Sequence, residues 1–167
     1  RIAQDTVFPQ EFPALARLAE EGFSNTYRFD WEANARSLYD AAAAGRAFVA
    51  VAEWDGQVEG YGNLRAWPAG GWIDQIAVSK AHRRQGIGRA LLDAVIAEAA
   101  TRKFWKVSLI TRADDPVSRP FFERCGWEVV GTMRDEIQKG IDGVLLSRIV
   151  DDRLHPNQVG YAGAFRS

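Results

Sequence analysis

The 167-residue sequence predicts a single α+β domain with a mixed, twisted sheet of about six to seven strands and flanking helices. The first observation behind this class is that amphipathic segments with helical spacing alternate with short runs rich in β-branched residues. The second is that one such helix separates two strand-like runs within about 40 residues, which is the spacing of a βαβ unit. The length also agrees with one domain.

Two helices are predicted before the first long strand. Apolar residues recur at helical spacing between residues 11 and 20, and Gly22 is expected to end that helix. The second helix is expected to run from Asp30, a favourable N-cap residue, to Ala44, where Gly45 follows.

A hairpin is predicted next. Residues 48–52 and 58–66 have the composition of strands, and the Asp55-Gly56 pair between them favours a tight turn. The two strands should therefore be antiparallel neighbours.

The βαβ unit follows the hairpin. A strand is predicted over 72–78, and a polar, basic stretch over 79–85 leads into a helix that ends near Thr101. The next strand is predicted over 106–111, parallel to the first.

The last elements are shorter. A helix is expected to end at Cys125-Gly126, and strands are expected near 127–133 and 144–150. Residues 151–167 show no periodicity and are predicted to form a C-terminal tail.

Composition excludes several kinds of site. A net charge of −1, from 21 basic and 22 acidic residues, argues against a nucleic-acid or anionic-membrane surface. Cys125 is the only cysteine and only two histidines are present, so we expect neither a disulfide nor a Cys/His metal site. No apolar run is long enough to span a bilayer and the first residues do not resemble a secretory signal, so we expect a cytoplasmic protein.

A turn that contains Gly86 and Gly88, here called the glycine turn, lies at the start of the helix in the βαβ unit and predicts an anion site. The first N–H groups of a helix lack partners within it, and the helix dipole favours negative charge there. Glycines let a phosphate approach the backbone, and Arg83, Arg84 and Arg89 add positive charge. Alternatively, Gly86 and Gly88 only open the helix and the arginines face solvent.

The chain resembles the GNAT superfamily of N-acyltransferases in two motifs. The family's acyl-CoA-binding motif, Arg/Gln-x-x-Gly-x-Gly/Ala, is matched by Gln75-Ile76-Ala77-Val78 followed by Arg83-x-x-Gly86-x-Gly88-x-Ala90-Leu91-Leu92. Its second motif, Asn-x-x-Ala-x-x-x-Tyr-x-x-x-Gly-Phe, is similar to Asp115-x-x-Ser118-x-x-Phe121-Phe122-x-x-x-Gly126-Trp127.

The resemblance implies a GNAT-like fold with a splayed central pair of parallel strands and acetyl-CoA as co-substrate. It implies an N-acetyltransferase domain over 1–150 and a tail over 151–167. Pantetheine would pair with the strand before the glycine turn, the diphosphate would bind the turn, and a backbone N–H near Val78 would hold the oxyanion. The cofactor-binding residues that it implies are Ile76, Ala77, Val78, Arg83, Arg84, Gln85, Gly86, Ile87, Gly88, Arg89, Ala90, Asp115, Ser118 and Phe122.

The sequence departs from the family in its proton-transfer groups. Phe122 stands where the family has a tyrosine that protonates the thiolate, and Ile110 stands where some relatives have a glutamate that acts as general base. Asp115 replaces an asparagine, and Pro120 favours a helix that starts late, with Ser118 as its N-cap.

Two other residues are therefore candidates for proton transfer. Asp74 is predicted to share a strand face with Ile76 and Val78, where it could serve as general base. Tyr61, on the neighbouring strand, is a candidate acid. Alternatively, Asp74 is a solvated or ion-paired residue and Tyr61 is packed. Cys125, beside a helix-ending glycine, is expected to pack rather than to act as a nucleophile.

An aromatic segment between the first two helices is the candidate acceptor site. Phe23, Tyr27 and Trp31, with Phe29 among them, could line a substrate, or they could simply cover the sheet.

The combined prediction is an acetyl-CoA-dependent N-acetyltransferase acting on a primary amine, either a small molecule or a protein N-terminus or lysine. A non-catalytic acyl-CoA-binding or regulatory domain is the alternative, because two proton-transfer groups are missing. Nucleic-acid binding through the basic stretch is a third, weaker possibility, and a homodimer would be in keeping with the relatives.

Overall fold

The computed structural model describes residues 2–3, 11–24 and 26–154. It divides into two compact units, Arg1–Ala66 with Gln75–Glu98, and Trp67–Asp74 with Ala99–Ser167. In chain order the elements are β1 (Ile2–Ala3), α1 (Phe12–Phe23), α2 (Trp31–Ala43), β2 (Ala47–Trp54), β3 (Gln57–Trp67), β4 (Gly70–Trp72), β5 (Ile76–Val78), α3 (Ile87–Thr101), β6 (Lys106–Arg112), α4 (Ser118–Arg124), β7 (Glu128–Gln138) and β8 (Ile141–Ile149).

The hairpin of the first unit forms as predicted. Asp55 and Gly56 both have positive φ, 48° and 76°, which suits the tight turn between β2 and β3. β3 also pairs antiparallel with β5, with Tyr61 opposite Ala77. A Cβ at Gly60 would lie 3.1 Å from Leu91 Cδ1, so the missing side chain lets α3 pack closely on β3.

The two N-terminal helices confirm one expectation and correct another. The Asp30 carboxylate accepts a hydrogen bond from the Ala33 N–H at 2.9 Å and caps α2 as predicted. The expectation that Gly22 ends α1 was wrong, because the helix continues to Phe23. Gly22 lies where α1 passes close to β5, since a Cβ there would be in van der Waals contact with the Ala77 Cβ, at 3.6 Å.

The strand predicted over 72–78 was wrong as one element. β4 pairs in parallel with β6, as the βαβ pattern predicted, and the Ile73 N–H continues this pairing by donating to Ser108 O at 3.0 Å. Two residues later the Gln75 N–H donates to the Asn63 side chain at 2.8 Å, on β3. The chain thus changes its pairing partner over 73–75, and two short strands result.

The last two strands, β7 and β8, are longer than predicted. β8 pairs antiparallel with β6 from Ile149 to Gly143, and with β7 on its other side. β7 runs to Gln138, five residues beyond the predicted end. Its register with β8 is interrupted between Met133 and Gln138, where Asp142 Oδ1 accepts from the Asp135 N–H at 3.0 Å. In the predicted tail, residues 152–154 form a short 3₁₀ helix and residues 155–167 lie outside the described residues.

In the part of the chain that the structure describes, no helix is long and apolar enough to cross a membrane.

Candidate active site

The glycine turn leaves a set of backbone donors without partners. Gly86 has φ +86° and Arg84 has φ +65°, and α3 begins at Ile87. The first α-helical bond runs from the Ala90 N–H to Gly86 O at 3.0 Å. Among the described residues, the N–H groups of residues 85–89 have no hydrogen-bond acceptor. An anion at this helix end would satisfy them.

Arginine side chains surround the turn. The Arg83 Nε donates to Val78 O at 2.9 Å, which ties this guanidinium to the end of β5. Arg89 lies 3.8 Å from Asp93 in an exposed pair, and Arg84 is also exposed. The turn therefore combines unpaired N–H groups with cationic charge, which is the chemistry expected of a phosphate site.

The outer edge of β5 is also open within the first unit. The Asn63 N–H donates to Gln75 O at 3.1 Å, and the Ser79 N–H donates to Glu59 O at 2.9 Å. Because strand backbone groups alternate in direction, Ala77 bonds toward β3 while Ile76 and Val78 point their N–H and C=O groups away from it. The Val78 C=O accepts from Arg83 Nε, so the open groups are the N–H and C=O of Ile76 and the N–H of Val78. An extended chain carrying amides could pair with that edge.

Residues 79–82 are anchored to the first unit just before the turn. Ser79 Oγ lies 3.1 Å from His82 Nδ1, which in turn lies 3.6 Å from the Glu59 carboxylate. Arg17 also lies 3.6 Å from Glu59. The hydrogen bond from Ser79, with Arg17 and His82 nearby, lowers the pKa of Glu59 against the opposing effect of burial. These contacts account for His82 without a nucleic-acid ligand.

The second motif forms a helix cap in the second unit. Asp115 Oδ1 accepts from the Val117 and Ser118 N–H groups at 2.8 and 3.2 Å, and Oδ2 accepts from Ser118 Oγ at 2.6 Å. The prediction that Ser118 is the N-cap was therefore wrong, because Ser118 is the first residue of α4 and Asp115 supplies the capping oxygen. Pro120 lies in the first turn, as expected.

Burial of Asp115 disfavours its charge, but these hydrogen bonds outweigh burial and lower the pKa of Asp115 below its usual value. Asp115 is thus an ionised cap in this unit. Its assignment to the cofactor, with Ser118, remains a prediction from the resemblance.

Phe122 lies in an aromatic cluster of the second unit. Its side chain is 4 % exposed, and its ring centroid lies 5.1 Å from that of Phe121 and 5.6 Å from that of Trp127. Cys125 is buried as well, in keeping with a packing role. The position offers no polar atom for proton transfer.

The two proton-transfer candidates differ sharply in exposure. Tyr61 is 1 % exposed, and its hydroxyl donates to Gln75 Oε1 at 2.6 Å. Burial raises the pKa of Tyr61 far above its usual value, so this phenol stays protonated. Asp74 is exposed and lies in the interruption between β4 and β5.

The aromatic segment contains both packed and exposed rings. Phe23 and Trp31 pack against the core of the first unit, with ring centroids 6.3 Å apart. Tyr27 and Phe29 are stacked at 5.4 Å with nearly parallel rings, and Phe29 is 55 % exposed. Part of the segment covers the core and part is available to a ligand.

Two polar residues at this place, Gln75 and Asn34, have a contact that was not predicted. Gln75 Nε2 donates to Asn34 Oδ1 at 2.9 Å, joining α2 to the residue before β5. The position of Gln75, a polar residue directly before the apolar run 76–78, was the one feature of the sequence that could have pointed to it. Asn34 gave none, because 41 residues separate the pair.

No group of three or more potential metal ligands occurs among residues 2–3, 11–24 and 26–154.

Comparison with known proteins defines the class. The model of the acetyltransferase (GNAT) family matches residues 12–127, which is more than half of the chain. This protein therefore belongs to the GNAT acetyltransferase family, and the predicted α+β class with a mixed sheet is confirmed.

Three proteins illustrate what this chain is similar to. A ribosomal-protein-alanine N-acetyltransferase from Brucella melitensis is 26 % identical, with a TM-score of 0.76 over 89 % of this chain and 99 % of that one. An aminoglycoside 6'-N-acetyltransferase solved with coenzyme A is 14 % identical, with a TM-score of 0.78 over 90 % of this chain and 97 % of that one. A mycothiol acetyltransferase from Clavibacter sepedonicus is 46 % identical over 52 residues, 31 % of this chain but only 16 % of that protein.

Proposed function

We propose that this chain transfers the acetyl group of acetyl-CoA to a primary amine. The observation that carries the proposal is the row of unpaired N–H groups at 85–89, placed at the start of α3 and directly after β5. The family membership and the acetyltransferase names of the relatives support the reaction class, and one related structure contains coenzyme A.

The residues present fit such a ligand. The diphosphate would accept from the N–H groups of the glycine turn, with Arg83, Arg84 and Arg89 adding charge. The pantetheine amides would pair with the outward backbone groups of Ile76. The open space beside Gly86, where a Cβ would meet no atom within 4 Å, leaves room for the phosphates.

When bound, acetyl-CoA supplies an activated thioester that a neutral amine can attack, with release of the thiol. The Val78 N–H, which has no acceptor among the described residues, would donate to the carbonyl oxygen as its negative charge develops. Fixing the reactants in place provides most of the remaining acceleration.

Asp74 is the better candidate for proton transfer. It is exposed, whereas the Tyr61 hydroxyl is buried and already donates to Gln75. Phe122 cannot protonate the thiolate, but a thiol with a pKa near ~8.5 leaves without much assistance.

The acceptor would bind at the aromatic segment. Phe23 and Trp31 hold the segment on the core, and the stacked pair Tyr27 and Phe29 offers an exposed apolar surface. The named acceptors of the relatives differ widely, so they support the amine class and no particular amine.

We also propose that the catalytic domain extends to about residue 150. The family match ends at 127, but β8 pairs with every residue of β6, from Gly143 to Ile149.

The proposal is tested by turnover. The protein is incubated with acetyl-CoA and a panel of amines, covering peptide N-termini, lysine, polyamines and aminoglycosides, and free thiol is measured against hydrolysis without amine. We expect amine-dependent thiol release with at least one acceptor. Tight acetyl-CoA binding without turnover would instead support a non-catalytic acyl-CoA-binding domain, which the apolar Phe122 also favours.

The role of Asp74 is tested by its pH dependence. In Asp74→Asn we expect the rate to fall about 100-fold near pH 6, where the amine is protonated and needs a base, and much less near pH 9. Rates of both proteins are measured over this range with one acceptor. If the pH–rate profile of the variant superimposed on that of the wild type, Asp74 would not be the general base.

A further inference from the structure

Four polar residues form a hydrogen-bonded network within the first unit, here called the amide network: Asn34, Tyr61, Asn63 and Gln75. Gln75 is at its centre. Its backbone N–H donates to Asn63 Oδ1 at 2.8 Å, and its C=O accepts from the Asn63 N–H at 3.1 Å. Its side chain accepts from the Tyr61 hydroxyl at 2.6 Å and donates to Asn34 Oδ1 at 2.9 Å.

These bonds fix the Gln75 side chain in one orientation. Asn63 is fully buried and Tyr61 almost so, which means that each would lose a costly bond if Gln75 moved. The Tyr61 phenol stays protonated, so it is a permanent donor, and Gln75 Oε1 must face it. The amide NH₂ is then directed at Asn34.

The network connects α2 to the strand that faces the proposed cofactor. Asn34 lies three residues after Trp31, in the part of α2 that follows the aromatic segment. Gln75 directly precedes Ile76, the first residue of β5. At the other end of the segment, α1 passes close to β5, since a Cβ added at Gly22 would lie 3.6 Å from the Ala77 Cβ. The helix before the aromatic segment therefore lies beside Ala77, and the helix after it is hydrogen-bonded to Gln75.

We propose that Gln75 is a positioning residue. Through its hydrogen bond to Asn34 it holds the acceptor-binding aromatic segment in a fixed position relative to β5. This inference rests on the proposed function. The packing at Gly22 fixes the first end of the segment, and the Gln75–Asn34 hydrogen bond is the specific polar contact that fixes the second. Loss of that bond should loosen the acceptor site while leaving the glycine turn intact.

The test uses Asn34, because replacing Gln75 itself would also leave the buried Tyr61 hydroxyl without its acceptor. Asn34→Ala removes the acceptor for Gln75 Nε2 at a helical position where alanine is favourable, so the fold should persist. Asn34→Asp keeps an oxygen for Gln75 and serves as the conservative rescue. Glu32→Ala, in the same turn of α2 with a 72 % exposed side chain, is the matched control.

For Asn34→Ala we expect the KM for the amine to rise about five- to tenfold, the effect of one lost hydrogen bond, with acetyl-CoA affinity by calorimetry within about twofold of wild type. Asn34→Asp and Glu32→Ala should behave like the wild type.

An unchanged amine KM in Asn34→Ala would overturn the inference, as would an equal loss in Asn34→Asp. A parallel loss of acetyl-CoA affinity would also overturn it, because it would indicate a general structural effect. If the wild type turned over no amine, the proposed function would fail first and this inference with it, so the wild-type measurement separates the two failures.

Discussion

Gly86→Ala is expected to weaken acetyl-CoA binding by at least about tenfold. Gly86 has a φ of +86°, a conformation that a residue with a Cβ rarely adopts, and an added Cβ would enter the space proposed for the diphosphate. Losing even one charge-assisted hydrogen bond to a phosphate costs about 1.5–3 kcal/mol. Isothermal titration calorimetry with acetyl-CoA measures the change.

A matched control separates ligand contact from backbone strain. Gly140, in the turn between β7 and β8, has φ +84° and likewise no atom within 4 Å of an added Cβ. Gly140→Ala should lose a similar amount of stability, about 1–2 kcal/mol, yet bind acetyl-CoA as the wild type does. If the two variants bound acetyl-CoA with equal affinity, the proposal that the diphosphate binds the glycine turn would be refuted.

Gly70→Ala is expected to lower the free energy of unfolding by about 4 kcal/mol. Gly70 has φ +132°, and a Cβ there would lie 2.4 Å from the backbone oxygen of Lys106. Both atoms are at the pairing of β4 with β6, so neither can move without breaking the sheet. Strain at positive φ and overpacking each cost about 1–3 kcal/mol or more. Urea denaturation monitored by circular dichroism measures the loss.

Gly126→Ala is the comparison for this effect. Gly126 follows α4 with φ +80° and has no atom within 4 Å of an added Cβ, so only strain applies there. We expect a loss of about 1–2 kcal/mol. If Gly70→Ala proved no more destabilising than Gly126→Ala, the close approach of Gly70 to Lys106 would be refuted.

The locally encoded features were predicted well. The Asp55-Gly56 turn, the Asp30 cap and the start of α3 at the glycine turn each depend on residues within a few positions of one another. Short-range sterics and capping chemistry decide such features, and both can be read from neighbouring residues. The cap of α4 was missed because Asp115 and Ser118 both offer oxygens, and only the structure shows which one binds the free N–H groups.

Features that depend on distant partners were only partly predicted. The βαβ pattern predicted the parallel pairing of β4 with β6, but it did not predict that the chain leaves β6 over residues 73–75 and then pairs with β3. The same holds for the candidate proton donor. Tyr61 had the right chemistry on a neighbouring strand, but its burial and its bond to Gln75 depend on packing that local pattern does not contain.

By itself the sequence determined the glycine turn, the prediction of an anion site there and the family resemblance, because these depend on residue types at fixed short spacing. The tertiary structure decided which backbone edge of β5 is open, which hydroxyl is already committed, and how α2 is tied to that strand. The physical reason is that hydrogen bonds and burial between residues such as Asn34 and Gln75 exist only after the chain has folded back on itself.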